Sequence, residues 1–275
     1  MPLRQRDNGR DGRRGRAPRP TLPDSWNGAL SPAAGPALLS WHYCCLPDII
    51  ISVMMGPIEH SWKIGLEEAK AVQQQLSELV DETDRLGEIC FVAGIDLSGV
   101  RSSGKATAAA VLLSFPELQL VEDSRVEGAL EFPYISGFLS FREAPLMLEA
   151  LSRLRRQPDL ILVDGQGRAH PRGLGIACHV GLMMDRPAIG CAKSRLVGQF
   201  SEPGEQAGAT SPLVYRGEVV GMVLRTKARV KPIFVSVGHK ISLAKAVDLV
   251  LRCTLPGQRI PEPTRQAHLL AGREP

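Results

Sequence analysis

Three carboxylates in this 275-residue sequence stand where chemistry is commonly assembled. Asp96 ends the strand-like run Phe91-Val92-Ala93-Gly94-Ile95, Glu143 falls in the first turn of an apolar-periodic helix, and Asp164 ends the run Leu160-Ile161-Leu162-Val163. Carboxylates brought to one point repel each other unless a cation neutralises them. Oxygen ligands select a hard ion such as Mg²⁺, with Mn²⁺ able to substitute. Such ions activate water and stabilise the leaving oxygen of a phosphodiester. Each residue also has a plain structural reading. Asp96 with Ser98 and Gly99 reads as a turn after a strand, Ser140 and Glu143 have capping-box spacing, and Asp164-Gly165 is a turn dipeptide. Only their joint placement brings a metal site level with these plain readings.

The elements that must position them follow from periodicity. Apolar residues at helical spacing predict a helix over 62–86. Strands are expected at 89–97, 106–115 and 118–127, joined closely enough to be antiparallel hairpins. A Pro/Gly loop over 132–137 leads into a helix over 141–156. Buried strands at 159–163 and 187–192 bracket a helix over 175–184. Strands at 218–224 and 232–237 precede a helix over 242–253, and Pro256, Pro261 and Pro263 are read as the end of regular structure. The order β-β-β-α-β-α-β is that of an α/β, ribonuclease H-like fold: a mixed central sheet flanked by helices.

Composition excludes several classes. Hydrophobic residues make up 44% and charged residues 23%, ordinary for a globular protein. The net charge of +4 belongs to the N-terminus: residues 1–20 hold seven arginines and two aspartates, and the rest, with 26 basic and 27 acidic residues, sums to −1. A grip on phosphate must therefore come from local clusters or from metal ions. The six cysteines include no C-x-x-C pair and fit a reducing compartment. The six histidines form no zinc-binding spacing. No stretch is long and apolar enough to span a membrane. Residues 1–58 read as a disordered or non-native extension, with translation expected to start at Met54 or Met55. Residues 59–263 form the catalytic domain and 264–275 a C-terminal tail.

Local motifs then narrow the reading. The stretch from Phe132-Pro133-Tyr134-Ile135-Ser136-Gly137 to Phe141-Arg142-Glu143 resembles the signature loop-helix of the endonuclease V family. The resemblance continues through Val163-Asp164-Gly165-Gln166-Gly167-Arg168-Ala169-His170-Pro171-Arg172-Gly173 and Gly175-Ile176-Ala177-Cys178-His179. It returns at Gly190-Cys191-Ala192-Lys193-Ser194 and at Phe234-Val235-Ser236-Val237-Gly238-His239, and it spans roughly 200 residues.

The resemblance implies a DNA-repair nuclease that cuts the second phosphodiester on the 3′ side of deaminated adenine, leaving a 3′-OH and a 5′-phosphate. It implies Asp96, Glu143 and Asp164 as metal ligands, with Lys193 and His239 as further catalytic residues. A solvated strand-end lysine and a helix-entry histidine are the alternatives for that pair. Pro133, Tyr134, Ile135 and Ser136 correspond to a wedge that fills the gap left by a flipped base. Gly137, Leu139, Gly167, Gly175 and Ile176 correspond to a base pocket with no room for the guanine amine. His170 either contacts phosphate or fixes its loop. Ser136 departs from the proline of many bacterial members, which leaves deoxyinosine DNA and inosine RNA both open as substrate. Ser98-Gly99-Val100 departs from the bulky residue common there. A different ribonuclease H-fold nuclease and a non-cleaving inosine reader are the competing readings. We expect a cytoplasmic monomer with no membrane partner.

Overall fold

The computed structural model describes residues 58, 60–99 and 105–273. The expectations for residues 1–57, including a start at Met54 or Met55, lie outside the described residues, as does Val100.

Eight strands form one sheet in the order β3-β2-β1-β4-β5-β8-β7-β6. The chain runs α1 (Leu66–Glu78), β1 (Phe91–Ser98), β2 (Lys105–Ser114), β3 (Leu120–Ala129), α2 (Leu139–Ser152), β4 (Leu160–Val163), α3 (Ile176–Met184) and β5 (Ala188–Ala192). It continues through β6 (Thr210–Tyr215), β7 (Glu218–Leu224), β8 (Ile233–His239), α4 (Leu243–Arg252) and α5 (Glu262–Gly272). Strands β1, β2 and β3 are an antiparallel meander, β1, β4 and β5 are parallel, and β8 returns antiparallel beside β5. This is the mixed sheet of a ribonuclease H-like fold, as expected.

Alternation along β1 sorts the layers. Ala93 and Ile95 point into a core with Met147 and Leu151 of α2 and with Ile176 and Val180 of α3. Val92, Gly94 and Asp96 point to the opposite face, where α5 lies on β1 and β2. β2 supplies Ala106, Ala108 and Ala110 to the first core, small side chains that let the helices come close.

Three expectations are corrected. α1 is shorter than the predicted 62–86. β6 was not anticipated because Pro212 breaks the strand pattern, but β6 is the outermost strand, where a missing N–H is tolerated. The regular structure does not end at Pro263, and 264–273 is no loose tail. Pro263 sits at the start of α5, with Glu262 in the first turn and Ala267 and Ala271 buried one turn apart. A proline at the first helical positions gives up an N–H that has no helical partner in any case.

Candidate active site

The register of the parallel strands creates the site. Ile95 pairs with Val163, so the next residues, Asp96 and Asp164, emerge side by side; Asp164 follows β4, while β1 runs on past Asp96 to Ser98 and so does not end there as expected. The Asp164 N–H donates to the Ile95 carbonyl at 3.2 Å and locks this adjacency. Lys193, just past β5, reaches back and pairs with Asp164 Oδ2. Its carboxylate partner is largely buried, while Lys193 remains partly open to solvent.

The fourth member comes from α5. His268 Nδ1 donates to Asp96 Oδ2 at 2.6 Å. Asp96, Asp164 and His268 each offer a ligand atom, all within 4.8 Å of one another. Two carboxylates and one imidazole suit a divalent cation. Burial, reinforced by the Asp164 charge, raises Asp96 above the usual carboxylate range. Glu143 is pushed up to about 7, chiefly by burial and then by the Asp96 charge. Cationic neighbours only partly offset this crowding, which is the electrostatic signature of a site that accepts a cation.

Glu143 does not occupy the expected first turn. α2 begins at Leu139, which puts Glu143 in the second turn, and Phe138 is the N-cap without a side-chain cap bond. The capping-box reading of Ser140 and Glu143 is thereby excluded. Glu143 borders the cluster electrostatically but lies outside the group of three.

His239 is not brought to this cluster. β8 runs antiparallel to β5, pairing His239 with Ala188 at the far end of that strand from Lys193. There His239 Nδ1 accepts the Asp81 N–H at 3.2 Å and Nε2 lies 3.8 Å from Asp185 Oδ1. His268 is the residue sequence reasoning missed; the Ala267/Ala271 spacing hints at its helix, but Pro261 and Pro263 read equally as a helix end.

The loop over 132–138, expected to act as a wedge, is anchored at its roots and open at its tip. Phe132 and Phe138 are buried with Phe141 and Ala69, whereas Tyr134 is 77% exposed. Arg142 donates to the Phe132 carbonyl at 2.5 Å. At the other root Gly137 takes φ +79°, and its carbonyl accepts from Gln73 Nε2 at 3.0 Å, His170 Nε2 at 3.0 Å and Arg172 Nη2 at 2.6 Å. His170 therefore fixes the loop. Its Nδ1 accepts the Arg172 N–H, and burial lowers its pKa to about 4, so the ring is neutral and fully bonded.

The other expected pocket residues divide. Gly137 and Leu139 sit at the wedge root. Gly167 and Gly175 serve close backbone packing: a Cβ on Gly167 would lie 2.0 Å from the Val237 carbonyl oxygen, and one on Gly175 2.1 Å from that of Gln166. The Ile176 side chain fills the space over Gly165 and belongs to the core with Val163.

Comparison with known proteins gives a consistent result. Residues 74–269 match the protein-family profile for endonuclease V. The chain is 52% identical to an endonuclease V of Nostoc punctiforme over 215 residues, covering 78% of this chain and 96% of that protein. It is 50% identical to one of Dehalococcoides mccartyi over 212 residues, covering 77% and 95%. The crystal structure of endonuclease V from Streptomyces avermitilis aligns with a TM-score of 0.72 at 40% identity, covering 76% of this chain and 92% of that one. The Ciona intestinalis enzyme, solved with a 24mer DNA containing an inosine followed by a ribo-adenosine, aligns with a TM-score of 0.66 at 30% identity, covering 75% and 95%.

Proposed function

The chain belongs to the endonuclease V family, an endonuclease acting near deoxyinosine, and from that premise we propose the bond, the ion and the division of labour. The bond is the second phosphodiester on the 3′ side of the deaminated adenine, cut to a 3′-OH and a 5′-phosphate. The ion is Mg²⁺, with Mn²⁺ substituting, held by Asp96, Asp164 and His268 with Glu143 completing the negative charge. A bound Mg²⁺ supplies an acidified water and Lewis-acid stabilisation of phosphate oxygens. The observation that carries the reading is the convergence of Asp96, Asp164, His268 and Lys193 at one end of the parallel strands.

The chain's own residues then have distinct tasks. Lys193 sets a fixed positive charge against the oxygens on which charge grows as water attacks phosphorus. Tyr134, with Pro133, Ile135 and Ser136, fills the stack vacated by the flipped base. Unstacking costs a few kcal/mol, least at a weak hypoxanthine pair, and that favours the lesion. Arg142, His170 and Arg172 hold the loop roots, so little ordering is left to do on binding. The backbone of Gly137 and Leu139, with Gly167, Gly175 and Ile176 behind it, forms the floor that excludes the guanine amine. Among the described residues Cys178, Cys191 and Cys253 are buried free thiols, which supports a reducing, cytoplasmic setting. Among the described residues no helix is long and apolar enough to cross a membrane.

The test is product mapping on end-labelled strands carrying one deoxyinosine or one inosine, with Mg²⁺ and with EDTA. Metal-dependent cutting one nucleotide beyond the lesion is expected, and the two strands rank DNA against RNA. Binding without cutting would make the protein an inosine reader instead.

A further inference from the structure

A groove of about 330 Å³ opens beside the wedge root, where α1, the loop after β4 and the β6–β7 hairpin meet. Gln74, Arg168, Arg172, Tyr215, Arg216 and Glu218 line it. Its charges are unequally answered. Arg168 pairs with Glu82 at 2.9 Å. Among the described residues neither Arg172 nor Arg216 has a carboxylate within ion-pair distance. Arg172 is held by neutral acceptors only, Gln73 Oε1 at 2.5 Å and the Gly137 carbonyl, with its guanidinium 4.3 Å from the Phe138 ring centre. Arg216 lies over the Tyr215 ring at 5.0 Å on the exposed hairpin turn.

We propose that this groove receives the flank of the substrate strand, with a backbone phosphate between Arg172 and Arg216 and the adjoining base against Tyr215. A cation-lined channel with an aromatic face is the arrangement by which single-stranded nucleic acid is held without regard to sequence. Arg172 makes the groove continuous with the lesion site, since the same guanidinium that lines it bonds the Gly137 carbonyl at the wedge root. A strand whose flipped base lies at that root has its flank directed over Arg172. The proposal rests on the endonuclease reading and extends the substrate contact beyond the lesion.

The experiment compares wild type, Arg216→Gln and Tyr215→Ala, all as full chains, binding single strands with one deoxyinosine and flanks lengthened on either side, in EDTA. Wild-type affinity should rise as one flank grows to fill the groove. In each variant that gain should shrink by about tenfold. For Arg216→Gln the slope of log affinity against log salt should fall by about 0.7, the value for one phosphate contact on a single strand, and Arg216→Lys should restore it. Cutting at saturating substrate should stay at the wild-type rate, so the effect appears in KM. Variants that bind every length as tightly as wild type, with the same salt slope, while wild type cuts at deoxyinosine, overturn the groove alone. A wild type that neither binds nor cuts these strands overturns the endonuclease reading and the groove with it.

Discussion

Gly94→Ala tests how the sheet positions His268. Gly94 and Asp96 share the face of β1 under α5, and a Cβ at Gly94 would stand 2.0 Å from the Pro263 carbonyl oxygen. Ordinary van der Waals contact begins near 3.4 Å, so the first turn of α5 must retreat by about 1.4 Å. The obstacle is backbone, so no side-chain rotation relieves it. His268 lies farther along the same helix and bonds Asp96 at 2.6 Å, and a rigid retreat of that size stretches the bond to about 4 Å, beyond hydrogen-bond reach. Overpacking of this kind costs about 1–3 kcal/mol, or several degrees in Tm for a domain of this size. Displacing His268, which offers a ligand atom and orients Asp96 through that bond, costs about 10–100-fold in metal affinity. The assay is a Mg²⁺ titration of single-turnover cutting, run beside thermal unfolding. Gly128→Ala is the control: its Cβ meets the flexible end of Leu146 at 2.5 Å, on β3 and away from α5. Gly94→Ala should shift the Mg²⁺ midpoint upward while Gly128→Ala leaves it in place. Equal midpoints in the two variants would refute the claim that α5 seating controls the site.

Two further outcomes follow from the same geometry. His268→Ala should raise the Mg²⁺ concentration for half-maximal cutting by at least tenfold, whereas His239→Ala should lower Tm without moving that midpoint; the reverse pattern in the titration would restore His239 to the site. His179 is wholly buried beside His60, and burial, then the His60 charge, lowers its pKa to about 3. The unfolded chain takes up this proton near pH 6.5, so the stability due to the neutral ring is complete above about pH 6.5 and is lost as pH falls toward 3. Between pH 7 and pH 5 wild type should lose about 2 kcal/mol more than His179→Phe in urea unfolding; parallel losses would show that the ring takes up protons in the folded state.

Much of this site was legible because strand ends are local features. Asp96 and Asp164 each follow a short apolar run, and parallel pairing of those runs necessarily sets them together. The prolines and glycines of 132–137 mark a loop and the buried strand before Lys193 marks its place, but a role for either came only with the family resemblance. His268 was not, because proline signals both the end and the beginning of a helix, and Pro261 and Pro263 were read as an end. Whether α5 covers Asp96 depends on contact between residues far apart in sequence, admitted by the bare backbone at Gly94. The place of His239 was not legible: the resemblance marks it as a site residue, but whether its strand runs parallel or antiparallel to its neighbour decides which edge of the sheet it reaches. The role of His170 was open because a buried and an exposed loop histidine read alike until their partners are known.

The proposed function turns on Asp96 and Asp164 acting as one cation site that cuts at the lesion but is not needed to find it. The measurement is single-turnover cutting and equilibrium binding of a deoxyinosine strand by wild type, Asp96→Asn and Asp164→Asn in Mg²⁺. Both variants should lose cutting by at least about a thousandfold, on the order of 4 kcal/mol of transition-state stabilisation, while binding the lesion strand within a fewfold of wild type. Cutting at the wild-type rate by either variant would contradict the account.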